Sequence, residues 1–167
     1  EAFPGNSTNV QAILTEKAGR DVIVTIGKSG SAIDGSDYVL LTTIVVPEGA
    51  EFSVVTMVAN DDTLDELEET ITVSISNVEN GTISGGLQQK TVSLIDNDPP
   101  PTVTLSVGGD SINEEGGTTS TTVTATLNTL SGLEVTVGLV KNKISTTIEN
   151  TDYTLANQII IPAGSIS

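Results

Sequence analysis

One pattern occurs twice along this chain of 167 residues, and the repetition constrains the fold more than any other feature. Residues 37–40 read DYVL and residues 44–49 read IVVPEG, and 115 residues later the chain reads DYTL and IIIPAG. Upstream, the alternation V-x-A-x-L at residues 10–14 returns at residues 123–127, an offset of 113. Because the same segments recur in the same order, the chain is predicted to contain two copies of one structural unit.

A proline-rich stretch separates the two copies. Consecutive prolines favour a stiff, extended segment, so we predict a first domain at 1–98, a linker at 99–101 and a second domain at 102–167. The first copy has no counterpart of residues 102–113, and the second has no counterpart of residues 53–98. The chain is therefore interpreted as part of a longer tandem array. The truncated second copy is expected to be completed by neighbouring repeats or by strand addition from a neighbouring chain.

The spacing of apolar residues and turn formers predicts an all-β fold. Thr accounts for 25 residues and Gly for 16, and these residue types favour pleated surfaces and turns respectively. Several short strands at regular spacing are typical of a β-sandwich. The strand signals lie at residues 22–26, 53–58, 71–75, 91–95, 102–107, 121–127 and 135–139.

Composition excludes several classes of function. The chain has no His and no Cys, which removes the usual catalytic triads, thiolate chemistry and ordinary zinc sites. A net charge of −16 argues against nucleic acid, which needs clustered Lys and Arg. No apolar run is long enough for a membrane helix. Paired carboxylates could serve a glycosidase, but with only 2 Tyr and 2 Phe to line a cleft the protein is not expected to be an enzyme.

The acidic residues are concentrated in two places. Residues 1–98 hold 16 acidic and 4 basic residues, whereas residues 100–167 hold 6 and 2. Crowded carboxylates repel one another unless they are solvated, protonated or neutralised by a cation. Hard divalent ions such as Ca²⁺ bind about six to eight oxygen atoms. The first group is Asp61, Asp62, Asp65, Glu66, Glu68 and Glu69, and the second is Asp96-Asn97-Asp98.

Two other interpretations of the first acidic group are open. The carboxylates can be a solvated surface with no ligand. Alternatively, residues 65–69 would lie on the solvent side of a short helical turn that buries Leu64, Leu67 and Ile71. The pattern of an EF-hand calcium loop does not occur, so spacing alone does not decide between these interpretations and a calcium site.

The motifs together resemble a Calx-β domain. In the first copy the resemblance rests on DY at 37–38, IVVPEG at 44–49, ANDDTLDELEETI at 59–71 and VSLIDND at 92–98. In the second copy it rests on SINEEGG at 111–117. The order and spacing of these motifs agree with the family over nearly the whole chain.

The resemblance implies an immunoglobulin-like antiparallel β-sandwich whose loops bind Ca²⁺ at one end. Asn97 stands where the strongest calcium binders of the family have a carboxylate, which implies a weaker site or fewer ions. The second copy retains Glu114 and Asp152 as a partial site. The calcium ligands that the resemblance implies in the first copy are Glu1, Asp37, Asp61, Asp62, Glu66, Glu69, Asp96 and Asp98.

The expected function is that of a calcium-binding structural module in an extracellular or cell-surface adhesin of bacterial type, where calcium rigidifies the tandem repeats. The alternative is a β-sandwich that recognises carbohydrate or protein and whose acidic loops bind no metal. An intracellular calcium sensor is a third possibility, which tandem copies separated by prolines do not favour. The expected partners are calcium ions and neighbouring repeats, without nucleic acid or membrane insertion.

Overall fold

The computed structural model describes residues 6–86, 88–114, 119–141 and 152–167. Within these ranges the chain forms eleven strands and no helix, and every strand pair is antiparallel. The predicted all-β class is confirmed. The strands are β1 (Ser7–Ile13), β2 (Val22–Gly30), β3 (Tyr38–Val39), β4 (Thr43–Val46), β5 (Phe52–Ala59), β6 (Glu69–Glu79), β7 (Gln89–Leu94), β8 (Val103–Val107), β9 (Val123–Leu127), β10 (Val135–Gly138) and β11 (Gln158–Ile161).

The chain divides into two compact units. Unit 1 comprises Glu1–Asp62 and Leu67–Asn97, and unit 2 comprises Thr63–Glu66 and Asp98–Ser167. Unit 1 contains a three-stranded sheet in the order β1-β5-β3 and a four-stranded sheet in the order β4-β2-β6-β7. Side chains of both sheets contribute to one hydrophobic core, so unit 1 is a sandwich of antiparallel sheets.

The core of unit 1 follows from period-2 alternation along its strands. In β2, Val22, Val24 and Ile26 are only 2%, 5% and 6% exposed, and their neighbours face the other side. Met57 of β5 and Ile71 of β6 are fully buried between the sheets. Burying a side chain of this size contributes roughly 1.5–3 kcal/mol, so the alternation fixes which face of each strand points inward.

Unit 2 has a smaller core. It contains the pairs β8-β9 and β10-β11, and its buried apolar residues are Ala125, Leu127 and Ile161. The segment Thr63–Glu66 belongs to this unit, because Asp65 forms a parallel bridge with Ser131. All five residues of β8 are exposed.

The pairs β2-β4 and β10-β11 have the same register. Val22 lies opposite Val46 in unit 1, and Val135 lies opposite Ile161 in unit 2. The offsets between equivalent residues are 113 in the first strand of each pair and 115 in the second, the same offsets as in the sequence pattern.

The turns after β4 and β11 also have the same structure. Gly49 and Gly164 have φ angles of 75° and 73°, the left-handed region that glycine adopts without a steric penalty. The N–H of Gly49 donates to the carbonyl of Ala18 at 2.9 Å, and that of Gly164 donates to the carbonyl of Ser131 at 2.8 Å. The repeated sequence therefore produces the same local backbone in each unit.

The seven strand signals all coincide with strands, and the sequence placed them correctly to within a few residues. The helical turn proposed around Leu64 and Leu67 does not form. The described ranges contain no helix, and Ile71 lies within β6. The described residues contain no helix that is long and apolar enough to cross a membrane.

Candidate functional site

The three-stranded sheet of unit 1 places Asp37 beside the end of β5. The start of β3 pairs with the end of β5, and one residue further the N–H of Asn60 donates to the carbonyl of Asp37 at 2.9 Å. Asp61 and Asp62 follow directly along the chain and are exposed. Two separate segments therefore bring three carboxylates to the same end of this sheet.

The four-stranded sheet of unit 1 brings further carboxylates to the strand ends. Glu69, the first residue of β6, lies opposite Leu94, the last residue of β7. Asp96 follows β7 by two residues and is half-buried. Glu69 is also half-buried, and its Oε2 atom is shielded from solvent. The start of β6 and the end of β7 thus carry one acidic residue each.

A side-chain hydrogen bond joins the two sets of strand ends. The Nδ2 of Asn97 donates to Oδ1 of Asp61 at 3.1 Å, which links the segment after β7 to the segment after β5. We call this group the acidic end of unit 1 and define it as Asp37, Asp61, Asp62, Glu69, Asp96 and Asn97.

The loop before β3 holds Asp37 in place. Its Oδ2 accepts a hydrogen bond from the N–H of Ile33 at 2.6 Å, and its own N–H donates to the carbonyl of Ile33 at 2.9 Å. The Nδ2 of Asn60 donates to the carbonyl of Ser36 at 2.6 Å. Hydrogen bonds to a carboxylate are stronger than neutral ones, so the position of Asp37 is set by the fold.

Sequence reasoning missed the role of Lys28 in this region. Lys28 continues the inward-facing series of β2, and its side chain is only 11% exposed. Its Nζ lies 2.6 Å from Oδ2 of Asp34 and also donates to the carbonyl of Leu40. The sequence offered one signal for this ion pair, namely a Lys at an inward-facing position near the end of an apolar strand. Since Asp34 is already paired with a cation, it is a poorer ligand candidate than Asp37.

Tyr38 is part of the core beneath the acidic end. It is only 2% exposed and belongs to the hydrophobic core of unit 1. Burial raises the pKa of the Tyr38 hydroxyl above its ordinary value of 10.0, and the negative charges of Asp34 and Asp37 raise it further. The neutral phenol is therefore favoured in the folded protein.

The remaining residues that were predicted as ligands fall outside unit 1 or outside the described residues. Glu66 and Asp98 belong to unit 2, where Glu66 packs against Gly132. Glu114 and Asp152 are exposed residues of unit 2. Glu1 lies outside the described residues.

The donor atoms at the acidic end suit a hard cation, but their side chains do not form a ready ligand shell. Carboxylate and amide oxygens are ligands that Ca²⁺ prefers. Nevertheless, no three Asp or Glu side chains in the described ranges form a group that could hold a metal ion. Asp61 and Asp62 are exposed, and exposed side chains change rotamer within nanoseconds. Binding an ion here requires such a rearrangement.

No family model matches the chain, and no curated protein or solved structure shows significant similarity to it. The Calx-β resemblance therefore stays a prediction from the sequence motifs.

Proposed function

We propose that unit 1 is a calcium-binding structural module of an extracellular or cell-surface adhesin, of the Calx-β type. The observation that supports this most is that Asp37, Asp61, Glu69 and Asp96 come from four strand ends of two sheets to the acidic end. The hydrogen bond from Asn97 to Asp61 joins the two sheets at this point.

Electrostatic repulsion supplies the driving force for cation binding. Two unit charges 4 Å apart repel by about 4 kcal/mol at an effective dielectric constant of about 20. A divalent cation among the carboxylates of the acidic end replaces this repulsion with attraction. The unfolded chain spreads the same charges apart, so calcium binds the folded unit more tightly and stabilises it.

The position of Asp96 connects calcium binding to the stiffness of an array. Asp96 lies just after β7, and the prolines at 99–101 follow it closely. An ion bound by Asp96 and by the segment after β5 would fix the chain where it leaves the sandwich. Extracellular calcium modules bind with dissociation constants of about 10⁻⁴–10⁻³ M, which suits a surface protein in a medium of similar calcium concentration.

Calcium titration tests the proposal. We expect a saturable heat of binding in the millimolar range and a rise in the melting temperature of about 5 °C at saturating calcium, since a gain of about 1 kcal/mol shifts a small domain by roughly 4–8 °C. Absence of both heat and thermal shift at several millimolar calcium would contradict calcium binding.

Two matched double variants assign the response to the acidic end. Asp61→Asn with Asp62→Asn should raise stability without calcium, because repulsion falls, and should abolish the calcium response. Glu48→Gln with Glu79→Gln removes the same charge at the opposite end of the strands and should leave the response intact. If both variants lose the response to calcium equally, the response depends only on the net charge of the protein and not on the acidic end.

A second function, recognition of another protein, is favoured by an apolar outer face. This face belongs to the sheet β1-β5-β3 and points away from the core. Its apolar side chains are 41–71% exposed, and exposed apolar patches often mark interaction sites. A negative calcium titration would leave this as the remaining function. The side chains are Ile13, Val39, Phe52, Val54 and Val58.

A further inference from the structure

The outer edge of β1 is open. β1 is the end strand of its sheet and pairs with β5 on one side, and no strand within the described ranges pairs with its other side. The backbone groups of an unpaired edge can form hydrogen bonds with an additional strand. This edge is therefore a place where an extended segment could bind.

A groove runs along the open edge. One part of it has a volume of about 440 Å³ and lies between β1 and the pair β6-β7. A second part of about 420 Å³ continues along β1 toward residues 80–84. The two parts share Ala12 of β1 and the apolar side chains of Val24 and Ile75. Apolar core side chains of unit 1 thus line a groove beside the open edge.

Unit 2 shows what covers the equivalent edge. β9 has the sequence pattern of β1 at an offset of 113, and β8 pairs with β9 along its whole length. The N–H of Leu14 donates to the carbonyl of Glu51, and the equivalent N–H of Leu127 donates to the carbonyl of Ile166, both at 2.8 Å. These bonds identify the same edge in both strands.

β8 lies on the opposite edge of β9. The N–H of Asn128 donates to the carbonyl of Thr102 at 3.1 Å, and the N–H of Gly108 donates to the carbonyl of Thr122 at 2.8 Å. Because N–H groups alternate in direction along a strand, even-numbered residues of β9 point toward β8 while Leu127 points away from it. The edge that β8 occupies is therefore the edge that is open in β1.

We infer that the open edge of β1 binds an extended, uncharged strand with apolar residues at alternate positions, of the kind seen at Val103–Val107. With the register of β8 on β9, Leu105 of such a strand would lie opposite Ala12, and its flanking valines opposite Val10 and Leu14. These three β1 residues face the core, so the apolar side chains of the added strand would enter the groove. A strand without charge also avoids repulsion from a chain of net charge −16.

Synthetic peptides test this binding on the full chain. A peptide with the sequence of residues 102–108 should raise the melting temperature by about 5 °C at concentrations well above its dissociation constant. It should also slow hydrogen exchange of the β1 amides. A control peptide whose apolar and polar positions are exchanged places polar side chains in the groove and should bind at least tenfold more weakly.

N-methylation of the peptide gives a sharper test of the strand geometry. The residues equivalent to Thr104 and Ser106 should point their N–H groups toward β1, so methylating those nitrogens should abolish binding. Methylating the nitrogens equivalent to Val103 and Leu105 should change the dissociation constant of the peptide only a few-fold, because those N–H groups point to solvent. Equal effects of the two methylation patterns would overturn the inference.

Hydrogen exchange also distinguishes other binding modes. Protection of the edge strands β3, β4 or β7 instead of β1 would contradict the assigned edge. Concentration-dependent association of the chain alone, with protection of β1 in the associated form, would replace the proposed occupant with a second copy of the chain. Equal affinity for the two peptide patterns would overturn the inferred specificity.

Discussion

The pKa of Tyr38 depends on burial and also on the carboxylates near the acidic end. Its ring belongs to the core, yet the carboxylates of Asp34 and Asp37 lie close enough to raise the pKa of its hydroxyl beyond the effect of burial. The phenolate would add a negative charge to a region that already has several. The folded protein therefore resists ionisation of Tyr38 more than the unfolded chain does.

This resistance predicts a loss of stability at alkaline pH. The pKa of Tyr38 is raised above 10.0 in the folded state. The contribution of Tyr38 to the free energy of unfolding is therefore fully present below about pH 10, and it declines as the pH rises from the ordinary pKa toward the folded pKa. Tyr38→Phe should reduce the fall in melting temperature above about pH 10. Tyr153→Phe leaves Tyr38 as the only tyrosine. The tyrosinate absorbance of that variant should therefore titrate with a pKa above the ordinary 10.0. A titration at the ordinary value would contradict the raised pKa.

The ion pair between Lys28 and Asp34 is the second residue-level feature to test. Asp34→Asn leaves the largely buried ammonium of Lys28 without its counter-charge, and we expect a loss of about 1–2 kcal/mol in the free energy of unfolding. The exposed pair of Lys17 and Glu51, at 3.9 Å, is the control. Glu51→Gln should cost less than about 0.5 kcal/mol. Urea denaturation measures both values, and equal losses would contradict a special role for Lys28.

At the scale of single residues, sequence predicted the acids of the acidic end but not their partners. Asp61 belongs to the acidic group that the sequence shows directly, whereas Asp37 was named only through the Calx-β resemblance. The hydrogen bond of Asn97 to Asp61 and the ion pair of Lys28 depend on loop conformations that no local pattern fixes. The resemblance implied a weaker site or fewer ions at Asn97, and the structure adds a hydrogen bond from Asn97 to Asp61 that links the segments after β7 and β5.

At the scale of secondary structure, the close approach of β2 and β6 depends on one glycine. Gly30 has a φ of 132°, and a Cβ atom built there would lie 2.0 Å from the carbonyl oxygen of Thr70. Gly30→Ala must therefore move backbone at the start of β6, next to Glu69. We expect a destabilisation of about 3 kcal/mol or more, since steric overlap adds to backbone strain.

A second glycine provides the comparison for that measurement. A Cβ atom on Gly85 would meet nothing within 4 Å, so Gly85→Ala should change the free energy of unfolding by less than about 0.5 kcal/mol. Urea unfolding of both variants gives the values. A mild effect of Gly30→Ala would mean that the strands separate easily at this end of unit 1.

The strands themselves were predictable because burial on one face imposes a period of two residues. The alternation in β2 and the shared register of β2-β4 and β10-β11 follow directly from the sequence. The assignment of Thr63–Glu66 to unit 2 could not be predicted. It rests on a bridge between Asp65 and Ser131, which are 66 positions apart, and such long-range contacts have no local signal.

At the scale of the whole molecule, the net charge of −16 must itself reduce stability, because like charges repel in a compact state. Monovalent salt screens exposed charges beyond a Debye length of about 10 Å at 0.1 M. The melting temperature should therefore rise by a few degrees as sodium chloride increases from low concentration to about 0.15 M, with no calcium present.

Screening and binding can be separated because they depend differently on the cation. Screening depends on ionic strength, whereas a bound ion needs specific oxygen ligands, and Mg²⁺ demands a tighter octahedral shell than Ca²⁺. At a constant ionic strength of about 0.15 M, we expect millimolar calcium to raise the melting temperature further and equal magnesium to raise it clearly less. The variant Asp61→Asn with Asp62→Asn should keep the response to sodium chloride and lose the response to calcium. Identical curves for the three salts at matched ionic strength would mean that the acidic end responds only as part of the total charge.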